Sequence, residues 1–188
     1  TVHAGIYREW VKPVRGGTGE KKRITYRAAP GEEVFVRGSE RVSSWANEGE
    51  GVWKIQLPNR FFGEYNPYAL NLSGGWLHYG EWHHRGDVYL NGQAFYEKKT
   101  PEEVKEQKNC WCCTADAQTA TIWANFADAD PNAQLVEINV RESVFMPEIS
   151  GLDYITVDGF HLMHSAENWQ PPGLEVQMGT IGPRMGKH

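Results

Sequence analysis

The chain reads as mainly β, with β-helix-like strand pairs towards both ends and a β-sandwich or jelly-roll-like module inserted between them. Three observations lead there. Residues 152–164 (LDYITVDGFHLMH) hold two short alternating runs, 154–157 and 160–164, parted only by Asp158-Gly159. Alternation with a period of two marks strands. Residues 23–38 (RITYRAAPGEEVFVRG) repeat the same grammar of run, Gly-containing bend, run and polar break. Between these two units, residues 45–140 carry at least six strand candidates separated by turn signals, with one short helix.

Asp-Gly between alternating runs fits two structures. One is a hairpin. The other is a parallel β-helix rung, in which a polar residue plus glycine bends the chain between two short strands. The second copy at 23–38 favours the rung. It suggests one scaffold that the chain leaves at Gly38 and rejoins near Gly151, a weak repeat of two copies. The expected division is therefore 1–38 (β-helix segment), 39–145 (inserted sandwich) and 146–188 (β-helix resumed).

Taken in order, residues 2–10 are strand-like, and 12–22 form a polar loop with Pro13, Gly16, Gly17 and Gly19. Residues 39–45 lead away from the first unit. Residues 52–57 (VWKIQL) alternate as a strand, with the Val52, Lys54, Gln56 side expected to be the wetter one. Residues 58–79 are aromatic and irregular, and such a stretch between strands is more often functional than a bare connection. Residues 87–90 and 93–96 flank Asn91-Gly92, a type I′ hairpin signal. Thr100 caps a helix over 100–107, with Pro101 at its first position and Glu103 completing a capping box. Residues 110–114, 119–125 and 135–140 are strands, and 169–182, rich in Pro and Gly, is loop.

Composition narrows the function. The 188 residues suffice for one ordinary core or two small ones. A net charge of -5 argues against nucleic acid or an anionic membrane as partner, and no apolar run approaches the roughly 18 residues of a membrane span. The chain opens on TVHAGIY, like the tail of a strand, so both ends read as cut. Three clustered thiols, Cys110, Cys112 and Cys113, are no disulfide framework and lack the second pair of a thiolate metal site. They read as buried strand residues in a cytoplasmic protein, with Cys110 and Cys112 on one face. Eight Trp, eight Tyr and seven Phe are the real bias. Indole faces suit sugar rings, although most of these side chains are expected in cores.

The residues do not select an active site. His78, His83 and His84 with Glu81 and Asp87 form the densest polar cluster. Adjacent His83 and His84 would face opposite sides of a strand, so no metal is expected. Glycoside hydrolysis needs two carboxyl groups; Glu64, Glu81, Asp87, Asp153, Asp158 and Glu167 are available, and no spacing picks a pair. Asp158 reads as a turn residue. Gly74-Gly75 lacks the sequel of a phosphate loop. Trp76, following two glycines in the irregular stretch, is the residue singled out for a ligand; core packing is the plainer alternative.

Several segments resemble glycoside hydrolase family 120, the β-xylosidase-type enzymes. They are GIYREWVKP at 5–13, RITYRAA at 23–29, VRGSERV at 36–42, LPNRFFGEYNPY at 57–68, GDVYLNG at 86–92, ADPN at 129–132, VEINVR at 136–141 and LDYITVDGF at 152–160. The resemblance runs in order over residues 5–183. It implies a right-handed parallel β-helix with an inserted β-sandwich and retaining hydrolysis of β-xylosides, with a xylo-oligosaccharide as partner and no cofactor. It also implies that the Asp nucleophile and Glu acid lie on later rungs, outside these residues, so no catalytic residue is assigned here. Trp76 resembles a sugar-pocket wall, although Gly75 stands where the family has Asp. Trp169, in NWQPP where the family has PWAPP, is a second pocket candidate. Association into a homo-oligomer is compatible with this reading. A carbohydrate-binding or interaction module with another sugar target is the alternative from a different class.

Overall fold

The computed structural model describes residues 1–73, 80–167 and 179–186. Its strands in chain order are β1 (Gly5–Tyr7), β2 (Ile24–Arg27), β3 (Val34–Arg37), β4 (Ser39–Arg41), β5 (Ala46–Gly49), β6 (Val52–Pro58), β7 (Val88–Leu90), β8 (Gln93–Ala94), β9 (Tyr96–Glu97), β10 (Cys110–Ala115), β11 (Thr119–Asn125), β12 (Val136–Asn139), β13 (Ile155–Asp158) and β14 (Phe160–Met163). The α-helix described is α1 (Pro101–Glu106), accompanied by short 3-10 turns. The fold is thus mainly β, with several sheets and few helices, and the described strands close no barrel. The chain divides into two compact units, one of residues 1–38 with 141–188 and one of 39–140.

Among the described residues of the first unit, the strand pairings are parallel. β13 lies on β2, with Ile155 beside Ile24 and Asp158 beside Arg27. β14 lies on β3, with Phe160 beside Val34, and β1 lies on the other side of β3. The two alternating runs around Asp158-Gly159 therefore do not pair with each other, which removes the hairpin reading. Each run stacks on its counterpart in the 23–38 unit. Gly159 makes this possible: its φ is +78°, and a Cβ there would stand 3.1 Å from the Ala28 methyl. The Arg27 guanidinium reaches Asp158 Oδ2 at 2.8 Å across the stacked bend. Tyr26 and Phe145 meet edge to face at 5.0 Å.

The second unit holds a five-stranded sheet, β5-β6-β11-β10-β9, and a four-stranded sheet, β4-β12-β7-β8. Both contribute to one apolar cluster, with Ile55, Trp111, Ile122 and Ala124 from the first sheet and Val88, Val136 and Ile138 from the second. Trp45, Phe62, Tyr68, Phe95 and Phe126 complete it from the connections. The chain passes from one sheet to the other at buried Phe95, between β8 and β9. The hairpin joining β7 and β8 has φ of 50° at Asn91 and 83° at Gly92, as a type I′ turn demands.

On the other face of β10, Cys110 and Cys112 pack with Val52 and Val104. This corrects the expected polarity of β6: Val52 is 1% exposed because α1 and the two thiols cover that end of its face. Helix α1 is capped as expected, with the Glu103 N–H donating to Thr100 Oγ1 at 3.3 Å. The Glu103 carboxylate reaches back to the Lys99 N–H at 3.1 Å. Strands β4 and β5 were not expected. β5 is exposed along its whole length, so no buried face stamped alternation on its sequence.

Candidate functional site

The irregular stretch before β7 is anchored from both sides. Tyr68, fully buried, donates its hydroxyl to the Asp87 carbonyl at 2.5 Å. Its ring touches Trp111 edge to face at 5.6 Å. The Asn66 side chain accepts from the Tyr68 N–H at 3.0 Å and shapes the turn that delivers the ring. Further along, the Leu72 N–H donates to the His83 carbonyl at 2.7 Å. Asn71 bridges to His84 in antiparallel sense, and its side chain donates to the Glu81 carbonyl at 2.7 Å. The Arg85 N–H donates to the Leu70 carbonyl at 2.9 Å. These bonds bring residues 70–72 and 81–85 together as two facing legs.

The second leg carries aromatic and titratable groups. The Trp82 indole stacks on the His83 imidazole at 3.7 Å, inclined by 26°. Glu97, on β9, lies beneath them. Its carboxylate oxygens stand 3.0 Å from His83 Nδ1 and 2.6 Å from His84 Nδ1, and they also accept from the His84 N–H. The expectation that adjacent histidines face opposite sides is corrected. Only an isolated bridge at His84, not a regular strand, shapes this leg, and both rings turn to one carboxylate. Glu97 was missed in the sequence because the sheet change at Phe95, not local spacing, sets it under the loop.

Both tryptophans proposed for ligand contact, Trp76 and Trp169, lie outside the described residues, as does His78. Of the carboxylates weighed for catalysis, Asp158 pairs with Arg27, and Asp87 Oδ2 accepts from the Tyr89 hydroxyl at 3.0 Å. Glu64, Glu81 and Glu167 are exposed. A cavity of about 450 Å³ belongs to the first unit and is lined by Phe145, Leu152, Ile155, Val157 and Ile181 among others. Among the described residues its lining holds no titratable side chain, so these residues bring it none of the acid–base groups that glycoside hydrolysis requires. The three thiols are free and buried. Burial pushes Cys110 up to about 11 and Cys112 up to about 12.

The parallel stacking of the first unit and the two sheets of the second define a mainly β protein built of several sheets. Residues 42–110 match the family model of the glycoside hydrolase 120 insertion domain. The chain is also similar to a solved structure of XylC in complex with xylose, at 46% identity and a TM-score of 0.90, over 96% of this chain and 32% of that one. A comparison with curated proteins gave no match. The resemblance to glycoside hydrolase family 120 read from the sequence therefore holds, and residues 42–110 are the part that matches that family's insertion domain. It spans about a third of the length of XylC.

Proposed function

We propose that this chain is part of a retaining, β-xylosidase-like glycoside hydrolase, and that it supplies walls of the sugar pocket and not the catalytic carboxylates. The observation that carries the reading is the 46% identity and TM-score of 0.90 to XylC, a protein solved with xylose, along 96% of this chain. In this reading the first unit, with its stacked parallel strands, is a segment of a right-handed parallel β-helix. The second unit is the inserted β-sandwich. Trp76 and Trp169 contact the sugar, stacking indole on the apolar face of the ring. The substrate is a xylo-oligosaccharide, shortened by one xylose at a time. The two carboxyl groups that a retaining glycosidase needs, about 5–5.5 Å apart, come from residues outside this chain. Three unpaired, buried thiols support a reducing compartment such as the cytoplasm.

The test uses the complete gene product with an aryl β-xyloside. Trp76→Ala is expected to raise KM, and Trp169→Ala to do so less. Unchanged kinetics in both variants would remove the pocket role of these residues.

A further inference from the structure

We propose that His84, Glu97 and Cys113 form a binding site for a zinc-type divalent cation that fastens the loop leg at 81–85 to the β9–β10 sheet edge. Each residue offers one ligand atom, and the three atoms all lie within 4.8 Å of one another. They come from three places in the sequence. His84 sits on the loop leg bridged to Asn71, Glu97 on β9, and Cys113 on β10 two residues beyond Trp111, the partner of Glu97. No local motif announces the set, which is why the reading of the histidines alone found no metal.

Charge is the first argument. The Glu97 side chain is only 8% exposed, and its ion-pair partners among the described residues are the two imidazoles, which carry charge only when protonated. A desolvated carboxylate needs a compensating positive charge or a full set of donors. A divalent cation held by this carboxylate would supply that charge. Cys113 makes the second argument. It is 6% exposed, and among the described residues its sulfur makes a weak hydrogen bond, 3.6 Å to the Tyr68 carbonyl.

The chemistry of the set selects the ion. One imidazole nitrogen, one carboxylate oxygen and one sulfur suit zinc and neighbouring transition metals, and a thiol disfavours calcium and magnesium, which take oxygen. Zinc bonds of about 2.0–2.3 Å would draw the widest pair inwards by roughly 1 Å, leaving a fourth position open to water. His83 fits an outer role: its Nδ1 stands 3.0 Å from Glu97 Oε2 and orients the carboxylate. On binding, the Cys113 S–H bond breaks, sulfur bonds to the cation, and the proton leaves to solvent.

The experiment titrates zinc chloride into chelator-treated protein by calorimetry, in two buffers of different ionisation enthalpy. The expected result is one equivalent bound with release of a proton. Cys113→Ser and His84→Ala should abolish it, His83→Ala should weaken it roughly 10-fold, and Cys112→Ala, on the opposite face of β10, should leave it unchanged. Cobalt(II) should give a thiolate charge-transfer band that Cys113→Ser removes. Should that variant fail to fold, the band in the unaltered protein decides. Absence of both zinc binding and the cobalt band, or equal zinc affinity in folded Cys113→Ser, would overturn the proposal and leave a hydrogen-bonded staple only.

Discussion

The Tyr68 hydroxyl and the Asp87 main chain hold each other twice: the hydroxyl donates to the Asp87 carbonyl at 2.5 Å and lies 3.3 Å from the Asp87 N–H. The Asp87 N–H has a second acceptor in Asn139 Oδ1 at 2.8 Å, which ties the start of β7 to β12. Tyr68→Phe would remove the hydroxyl that donates to the part-buried Asp87 carbonyl. The expected cost is about 1–3 kcal/mol, read from urea unfolding with unchanged slope. Burial, and then the Asp87 charge, hold the Tyr68 phenol well above its ordinary value. With the folded value raised, this contribution is complete below about 10 and disappears only at higher pH.

Gly86 is required by the same ring. A Cβ at this position would stand 2.4 Å from a Tyr68 ring carbon. The ring is fully buried and packs against Phe62 and Trp111, so making room for the methyl means shifting those neighbours too. Gly86→Ala should destabilise by about 1–3 kcal/mol through overpacking alone. Pairing it with Tyr68→Ala should give less than the sum of the two losses in a double-mutant cycle.

Asp116 gives the β10–β11 turn an acid-sensitive hold. Its Oδ1 accepts from the Gln118 N–H at 2.7 Å and the Thr119 N–H at 2.8 Å, and these bonds hold its carboxyl below the usual value of 3.8. A depressed folded value means stability present above about 4 and lost as pH falls through the depressed value. Carbon-detected NMR titration should place the Asp116 midpoint below 3.8, and Asp116→Ala should lower Tm near neutral pH more than in acid.

The thiols should be inert in the folded state. Cys110 and Cys112, raised to about 11 and about 12, hold almost no thiolate at neutral pH. A disulfide reagent added to native protein should release no chromophore on the minute scale, and three equivalents after unfolding, one for each free cysteine.

Local chemistry made part of this fold legible. Asn91-Gly92 announced its turn because few residue pairs accept two positive φ values, and Thr100 with Pro101 announced α1. The stacked bend at Asp158-Gly159 needed the second copy at 23–38, since one copy fits a hairpin equally well. What local sequence did not carry was contact across sheets. Glu97 and Cys113 meet His84 because the chain changes sheet at Phe95, and no spacing encodes that. Exposed β5 left no pattern at all. Trp76 and Trp169 were singled out from composition, context and family resemblance, and both fall outside the described residues.

The central claim is that the reacting acids lie outside this chain while the sugar-contacting walls lie within it. Incubating the purified 188-residue chain with an aryl β-xyloside, beside the complete gene product, tests it directly. The account predicts release of the aryl alcohol by the complete product and none above background by the short chain. Sustained release by the short chain would contradict it and require a catalytic carboxylate pair among these residues.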